Sequence, residues 1–302
     1  IQNVYCDESI SRVKILVTGA KGFIGSHLCN RLKKSNLYGI IEWDREDGDL
    51  KQPQNFPTVD VVIHLAAFNS TKEFYTKGFE VIKDNILSTI NLVEHYRNQT
   101  PQPLFIYTGT PESYAGATDF FNYKLPTDEA CPLVVPDVKN IRWSYANSKA
   151  LGEQAVIASG MPYQIIVPNN IYGPRQINHF VDEFIARARS GDVELFGWDN
   201  TRSWLYVEDF TDAMEKLLNC KQAIGEKVNI GSNDEVEVLK LAEIIIDKMG
   251  IDKPIVKHDA PEGSVKRRMP DITKIKSLTN WEPQTSLEDG LSKTVEYWME
   301  KK

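Results

Sequence analysis

The segment Val13–Gly25, which reads VKILVTGAKGFIG, decides the fold of this chain. An apolar run is followed at once by three glycines in the spacing G-x-x-G-x-x-G, namely Gly19, Gly22 and Gly25. Glycine at such a turn lets the backbone approach a pyrophosphate, whose charge then meets the N-terminus of the following helix. Asp44 follows 19 residues after Gly25, at the end of the next apolar run, where its carboxylate can accept hydrogen bonds from ribose hydroxyls. The pattern predicts a dinucleotide-binding βαβ unit.

The charges around Asp44 bear on which dinucleotide binds. Asp44 would repel the 2′-phosphate of NADP, and this favours NAD. Lys21 and Arg45 flank the same place and could accept that phosphate. We therefore predict NAD as the cofactor and keep NADP as the alternative.

Working outward, the first half of the chain alternates nearly continuous apolar runs with helical periods. Such runs are typical of strands that are covered on both faces, as in a parallel sheet. Strand–helix alternation predicts an α/β fold, a Rossmann-type doubly wound parallel sheet with right-handed crossovers. The predicted strands are Val13–Gly19, Tyr38–Asp44, Val59–Ala67, Pro103–Gly109 and Tyr163–Gly173, and helical stripes between them include Ile24, Leu28 and Leu32, then Phe79, Ile82, Ile86, Ile90 and Val93.

After Gly173 the pattern loosens into a smaller, mixed α/β lobe that we expect to bind substrate. Helices are predicted at His179–Arg189, Val207–Leu218 and Val236–Met249, with short apolar runs between them. The predicted division assigns 13–173 to an NAD-binding Rossmann domain, to which the chain returns around 203–233. It assigns 174–202 and 234–302 to the substrate-binding lobe, and 1–12 to an N-terminal extension.

Composition narrows the classes of partner. The 302 residues carry a net charge of −7, so we expect no nucleic acid as partner, because phosphate neutralisation needs a basic face. The four cysteines are scattered without a C-x-x-C pair or a matching histidine cluster, so we predict no metal site and a reducing, cytoplasmic location. No apolar run reaches the ~18 residues that a membrane span needs, so no membrane association is expected.

A second motif carries candidate chemistry. In the segment Ser144–Lys149, which reads SYANSK, Tyr145 and Lys149 are four residues apart and share one face of a helix. A phenol with a pKa near ~10 is a poor base at neutral pH. A neighbouring ammonium lowers the pKa of the phenol, which can then take a proton from a sugar hydroxyl.

Together these motifs resemble the extended short-chain dehydrogenase/reductase family, the NAD-dependent epimerase/dehydratase group that modifies nucleotide sugars. The resemblance extends over most of the chain in the expected order. The residues that carry it are VTGAKGFIGSHL (Val17–Leu28), DVVIHLAA (Asp60–Ala67), YTGTPESYA (Tyr107–Ala115), SYANSKALGE (Ser144–Glu153), NNIYGPR (Asn169–Arg175), TRSWLYVED (Thr201–Asp209), VNIGSN (Val228–Asn233), RRMPDITK (Arg267–Lys274) and NWEPQTSLEDGL (Asn280–Leu291).

The resemblance implies a role for each matching residue. Tyr145 would be the base at the sugar C4 hydroxyl, Lys149 its partner and a ligand of the nicotinamide ribose, and Thr110 would share a hydrogen bond with that hydroxyl. Asn170 would lie at the edge of the substrate diphosphate. The remaining implied contacts are those of Arg202 and Arg268 with the diphosphate or sugar, and those of Gly19, Gly22, Phe23, Ile24, Gly25, Asp44, Leu65, Ala66 and Ala67 with the cofactor. A nucleoside-diphosphate sugar, most often a UDP-sugar, and a homodimer are further implications.

Glu112 bears on the type of reaction. Once C4 is a ketone the C5 proton is acidified, and a carboxylate placed there could remove it. The resemblance places such a glutamate in 4,6-dehydratases and UDP-glucuronate decarboxylases. Pro111 stands where dTDP-glucose 4,6-dehydratases carry an aspartic acid, and Ala115 replaces the usual glycine.

The outcome at the sugar therefore stays open. Oxidation at C4 could be followed by epimerisation, dehydration or decarboxylation. A dedicated NAD(P)H-dependent 4-keto-sugar reductase would use the same Thr110, Tyr145 and Lys149 in the reverse direction. A dinucleotide-binding regulatory protein without catalysis is the alternative from another class.

Overall fold

A computed structural model describes residues 12–260 and 264–301, so the predicted N-terminal extension lies outside it apart from Arg12. Its centre is a six-stranded sheet whose strands all pair in parallel. The order across the sheet is β10-β5-β4-β3-β1-β2. These strands are β1 (Val13–Thr18), β2 (Tyr38–Trp43), β3 (Val61–His64), β4 (Leu104–Thr108), β5 (Tyr163–Pro168) and β10 (Lys227–Ile230). This confirms the predicted Rossmann-type α/β class.

Helices lie between these strands and beyond them. The described helices are α1 (Phe23–Lys33), α2 (Thr71–Phe74), α3 (Gly78–Tyr96), α4 (Glu112–Phe121), α5 (Ser144–Ala158), α6 (Phe180–Arg189), α7 (Val207–Leu218), α8 (Val238–Lys248), α9 (Thr273–Thr279) and α10 (Leu287–Glu300), with 3₁₀ turns at Ile141–Trp143 and Lys221–Ala223. Within the described ranges, no helix is long and apolar enough to cross a membrane.

The sheet is covered on both faces, as the continuous apolar runs predict. Along β1, Ile15 and Val17 pack into one hydrophobic cluster, while Leu16 between them packs into the other. The same alternation separates Ile106 from Phe105 on β4. Successive side chains of a strand point to opposite faces of the sheet, and both faces are buried here. No position along these strands therefore needs a polar residue, and this explains why the strands appear in the sequence as nearly continuous apolar runs.

Two predicted strands are shorter than their apolar runs. The run Val59–Ala67 contains only the four residues of β3, and the run Tyr163–Gly173 divides into β5 and a two-residue strand β6 (Ile171–Tyr172). Asn170 has a left-handed backbone (φ 43°), which interrupts the extended chain there. The interruption turns the chain out of the central sheet, and β6 pairs instead with β9 (Leu205–Tyr206).

The second half of the chain builds small sheets beside the carboxyl ends of the central strands. β8 (Thr201–Ser203) pairs with β11 (Glu235–Glu237) and with β13 (Arg267–Arg268), and β7 (Glu194–Phe196) pairs with β12 (Val256–His258). The predicted helix over Val236–Met249 begins at Val238, because the residues before it form β11. β10 returns to the central sheet beside β5.

The strand order places a crevice at one edge of the sheet. The chain runs from β1 outward to β2 and then crosses to β3 on the other side of β1. In open α/β sheets, ligands bind outside the carboxyl ends of the strands where the order reverses. The loops that leave β1, β2, β3 and β4 at this edge begin at Gly19, Asp44, Leu65 and Gly109.

Candidate active site

The glycine turn after β1 is packed too tightly for any other residue. Gly19 has φ +69°, and a Cβ there would lie 2.9 Å from the amide nitrogen of Ala66 in the loop after β3. A Cβ at Gly25 would lie 2.1 Å from the carbonyl oxygen of Gly19. The start of α1 therefore rests directly on the turn, as the sequence spacing predicts.

The start of α1 is open to an anion. No side chain caps its first turn, which contains no acidic residue and begins with Phe23 and Ile24. Uncapped amides at a helix N-terminus attract negative charge. This turn fits the pyrophosphate of a dinucleotide.

Asp44 is fixed beside the same turn. Its Oδ2 accepts a hydrogen bond from the amide of Lys21 (2.9 Å), and its Oδ1 accepts one from the amide of Arg45 (2.9 Å). The ammonium of Lys21 forms an ion pair with Glu46. The loop after β3 lies opposite, where the amide of Ala66 donates to Thr18 Oγ1 (3.3 Å). These residues fit the adenosine half of NAD.

His64 ends β3 beneath this site and is structural. Its Nδ1 is 2.7 Å from Thr18 Oγ1, and its Nε2 is 3.2 Å from Thr89 Oγ1. Burial lowers the pKa of His64 to about 3, so the ring is neutral at physiological pH.

The tyrosine and lysine of the second motif lie on one face of α5. Tyr145 is 7% exposed and Lys149 is 2% exposed, and the ring of Phe74 stacks on Tyr145 with the centroids 4.5 Å apart. Ser148 locks this helix to α3, because its hydroxyl donates to Tyr145 O (2.8 Å) and accepts from Asn85 Nδ2 (3.0 Å). The motif is therefore rigidly held.

Electrostatics at Tyr145 differ from the sequence expectation. Burial and the negative charge of Glu112 raise the pKa of Tyr145, and the hydrogen bond with Thr110 lowers it. Burial also lowers the pKa of Lys149 to about 7, against an opposing pull from Glu153. The expectation that Lys149 lowers the pKa of the phenol is therefore not met in the protein alone.

Glu112 does not face solvent as a free carboxylate. It begins α4, and its Oε1 lies 2.8 Å from Nη1 of Arg268 while its Oε2 lies 3.6 Å from Nη2 of Arg142. Burial alone would raise the pKa of Glu112, but Arg268, Arg142 and Arg202 outweigh it and lower the pKa. Glu112 is therefore ionised.

The arginines that the resemblance assigns to substrate sit side by side on neighbouring strands. Arg202 of β8 is paired in register with Arg268 of β13. Arg202 donates to three backbone carbonyls, those of Thr201 (2.7 Å), Lys266 (3.2 Å) and Val265 (2.6 Å). Its guanidinium is thus already engaged, whereas Arg268 points at Glu112.

Asn170 also uses its side chain within the protein. Its Nδ2 donates to the carbonyl of Ser203 (2.9 Å), and its own carbonyl accepts from the amide of Leu205 (3.2 Å). Asn170 therefore ties the turn after β5 to the strand that carries Arg202. The side-chain hydrogen bond fixes the amide group at the edge of the site.

Four residues that line the site were not predicted from the sequence, and Arg142 and Phe74 make the most specific contacts among them. Arg142 lies three positions before Tyr145, packs 4.6 Å from the centroid of the Trp143 ring and meets Glu112. Phe74 stacks on Tyr145, although nothing in its local pattern marks it. A cavity lined by Phe74, Tyr75, Glu112, Arg142, Tyr145 and Ala146 opens above the tyrosine. No group of three or more potential ligand side chains within the described ranges is arranged to hold a metal ion.

Comparisons with known proteins show the family of the chain. A model of the NAD dependent epimerase/dehydratase family matches residues 15–231. The chain belongs to this family. It is thus an NAD-dependent enzyme of the short-chain dehydrogenase/reductase type, and the relatives described below are named for reactions of UDP-sugars.

Three members of the family illustrate the range of reactions. UDP-N-acetyl-alpha-D-glucosaminuronate decarboxylase of Bacillus cytotoxicus is 30% identical over 95% of this chain and 98% of its own length. A UDP-glucose 4-epimerase of Thermotoga maritima, solved with UDP-glucose, is 28% identical with a TM-score of 0.80, covering 95% of this chain and 98% of that one. A UDP-glucuronic acid 4-epimerase of Bacillus cereus, solved with NAD, is 25% identical with a TM-score of 0.79, covering 94% of this chain and 98% of that one.

Proposed function

We propose that the chain oxidises C4 of a UDP-sugar with NAD and that the 4-keto sugar is then epimerised, dehydrated or decarboxylated in the same site. The observation that carries this proposal is the convergence of Thr110, Tyr145, Glu112 and two arginines at the carboxyl ends of the central strands. The UDP-sugars named for the family members above support the choice of nucleotide.

In this proposal Tyr145 takes the proton of the C4 hydroxyl, and Thr110 hydrogen-bonds the same oxygen. Lys149 stabilises the phenolate and binds the nicotinamide ribose. The chemistry that NAD supplies when bound is reversible uptake of the hydride from C4. Gly19, Gly22, Gly25 and the first turn of α1 would hold its pyrophosphate.

The adenosine half of the cofactor would be held by the loops after β2 and β3. Asp44 would bind the adenosine ribose, and Leu65, Ala66 and Ala67 would lie along the cofactor. Asp44 supports NAD over NADP because its carboxylate repels a 2′-phosphate. The ion pair between Lys21 and Glu46 also supports NAD, because it engages an ammonium that could otherwise attract that phosphate.

Arg268 and Arg142 favour an anionic sugar, a hexuronate, among the substrates. Their guanidiniums meet Glu112 from different sides, and such forks match a second carboxylate as well. A 4-keto hexuronate is a β-keto acid, so loss of carbon dioxide leaves an electron pair at C5 that the C4 ketone accepts. Tyr145 and Thr110 would hydrogen-bond that ketone oxygen.

A panel of UDP-, dTDP-, GDP- and CDP-sugars tests the proposal by mass spectrometry. Loss of water marks a dehydratase, loss of carbon dioxide a decarboxylase, and unchanged mass with a new retention time an epimerase. Stoichiometric consumption of added NAD(P)H marks the reductase instead. Failure to convert any nucleotide sugar would overturn the proposal.

A homodimer belongs to the same proposal. α3 and α5 pack on each other, and together they expose large apolar side chains. On α3, Phe79 is 73% exposed and Ile90 is 38% exposed, and on α5 Leu151 is 50% exposed. A second copy that packs the same two helices would cover these side chains as a four-helix bundle.

We also place the enzyme in the cytoplasm. Cys29, Cys131 and Cys220 are buried free thiols, which suit a reducing compartment.

A further inference from the structure

A buried carboxylate lies one helical turn beyond Lys149 on the same face of α5. Glu153 is 4% exposed, and its Oε2 is 2.7 Å from Nζ of Lys227 on β10. Its other oxygen, Oε1, is buried and has no hydrogen-bond partner among the described residues. An unpaired buried carboxylate oxygen is costly, so a residue that serves only to hold the fold together would be better paired.

The surroundings leave room for this carboxylate. A Cβ at Gly109 would lie 2.4 Å from Glu153 Oε1, so the strand end that leads into Thr110 admits the carboxylate because residue 109 is glycine. Gly152 makes similar room for Tyr107, because a Cβ there would lie 2.1 Å from the tyrosine Oη. Glu153 thus lies against Gly109, the residue that directly precedes Thr110 after β4.

Lys149 lies four residues before Glu153 on α5, so the two side chains share one face of the helix. Its Nζ lies 4.3 Å from the centroid of the Tyr107 ring. The other titratable groups that face it are His64 from β3, Tyr145 from α5 and Tyr107 from β4, and each is neutral at physiological pH. Glu153 therefore supplies the negative charge on this side of the ammonium.

The charges that face Glu153 are equally defined. Lys227 approaches it from β10, and its Nζ also lies 4.8 Å from the centroid of the Tyr114 ring on α4. Tyr114 and Tyr107 are neutral phenols with pKa values raised chiefly by burial. Burial raises the pKa of Glu153, and the charges of Lys227 and Lys149 oppose that rise.

We propose that Glu153 is a positioning residue that keeps Lys149 protonated in the buried site, while Lys227 keeps Glu153 ionised. This inference rests on the proposed function of Lys149. Burial lowers the pKa of Lys149 to about 7, and Glu153 opposes that shift. Without the carboxylate, Lys149 would lose its proton at lower pH and could no longer stabilise the Tyr145 phenolate.

Glu153→Gln keeps the shape of the side chain and removes its charge. We expect the alkaline limb of the kcat profile to move about one pH unit lower. The reason is that removing a nearby opposite charge lowers the pKa of a lysine such as Lys149 by about that much or more. The loss of activity would be about tenfold at high pH and would shrink toward low pH, where Lys149 is protonated in both proteins. Glu153→Asp keeps the charge, so its alkaline limb should lie close to that of the wild type.

A second readout needs no substrate or cofactor. The folded pKa of Lys149 is below its unfolded value of 10.5, so the unfolded chain binds more protons between about pH 7 and 10.5, and the free energy of unfolding rises with pH in that window. Urea titrations should show this rise in the wild type and its absence in Lys149→Met. In Glu153→Gln the rise should begin at lower pH. This measurement still tests the inference if the proposed reaction is wrong.

Gln164→Leu is the matched structural control. Gln164 is fully buried on β5, its Nε2 donates to the carbonyl of Leu217 (3.0 Å), and its Oε1 also has no described partner. We expect this variant to lower stability and to leave both pH profiles in place. If Glu153→Gln behaves in the same way, with the alkaline limb and the unfolding window unmoved, Glu153 is structural and the inference is wrong. If Glu153→Gln does not fold, the unfolding profile of Lys149→Met decides, and a profile equal to that of the wild type overturns the inference.

Discussion

Arg268 and Glu112 form a close ion pair across the site, with Nη1 2.8 Å from Oε1, although 156 residues separate them in the chain. The pair joins the start of α4, which follows the central strand β4, to the peripheral strand β13. Arg142 reaches the other carboxylate oxygen from the turn that precedes α5. The turn that carries Arg142 therefore connects the acid to the helix that carries Tyr145.

The first prediction concerns Glu112. Glu112→Gln removes the carboxylate that would exchange the C5 proton, so exchange with deuterated water should fall at least about a hundredfold. Oxidation at C4 should persist and would be visible as reduced cofactor in a single turnover. Loss of both steps, or of neither, would contradict the role proposed for Glu112.

Arg142 should matter for an anionic sugar and little for a neutral one. Arg142→Met removes a guanidinium from the carboxylate site, so KM for UDP-glucuronate should rise about 10- to 100-fold. KM for UDP-glucose, if it is turned over, should change much less. Arg267→Met is the control, because Arg267 is half exposed and pairs with Glu235 outside this network. Equal effects of Arg142→Met on both sugars would rule out carboxylate recognition by this residue.

Asp44 should set the preference for NAD. Asp44→Asn removes the charge that repels a 2′-phosphate and weakens the hydrogen bonds to the ribose, so the Kd for NAD should rise about tenfold while the Kd for NADP falls. Calorimetric titration of both cofactors measures the two changes. Asp49→Asn, in the exposed loop that follows, should leave both constants at their wild-type values. An unchanged preference in Asp44→Asn would place the discrimination elsewhere.

His64 should make the fold sensitive to acid. Its folded pKa of about 3 is below its unfolded value of 6.5, so the unfolded chain binds the extra proton as pH falls through this range. Stability is therefore lost from about pH 6.5 downward. His64→Asn should be less stable than wild type at pH 7, and the difference should shrink at low pH in urea titrations. A difference that does not depend on pH would contradict a neutral, buried His64.

The exposed face of α3 should hold the dimer. Phe79→Glu places a charge in the proposed helix interface and should halve the mass measured by light scattering after gel filtration. Phe121→Glu is the matched control, because Phe121 is also largely exposed but lies on α4. A wild-type protein that is already monomeric would contradict the proposed homodimer.

Local sequence predicted which helices and strands form more accurately than it predicted the residues at which they begin and end. The apolar runs predicted five of the six central strands because both faces of the sheet are buried, and the glycine spacing located the turn after β1. The break at Asn170 was missed, because a left-handed asparagine within an apolar run leaves no period of its own. β11 was read as part of a helix, since a three-residue strand is too short to show alternation.

The candidate site was likewise predicted only where a local pattern encodes it. Tyr145 and Lys149 were predicted from helical spacing, because i and i+4 positions share a face. The ion pairs of Glu112 and the neighbours of Glu153 come from distant segments, and no local pattern encodes which arginine meets which acid. The effect of burial on the pKa of Lys149 could not be predicted from the sequence either, because β3, β4 and α5 bury this side chain together.

The central claim is that Tyr145 starts the reaction at C4 of a UDP-sugar. The most direct measurement compares wild type and Tyr145→Phe on a UDP-sugar that the wild type converts without added reductant, by mass and retention time of the product. We expect Tyr145→Phe to fold and to bind NAD but to lose at least about a hundredfold in kcat. Turnover by Tyr145→Phe at the wild-type rate would contradict it.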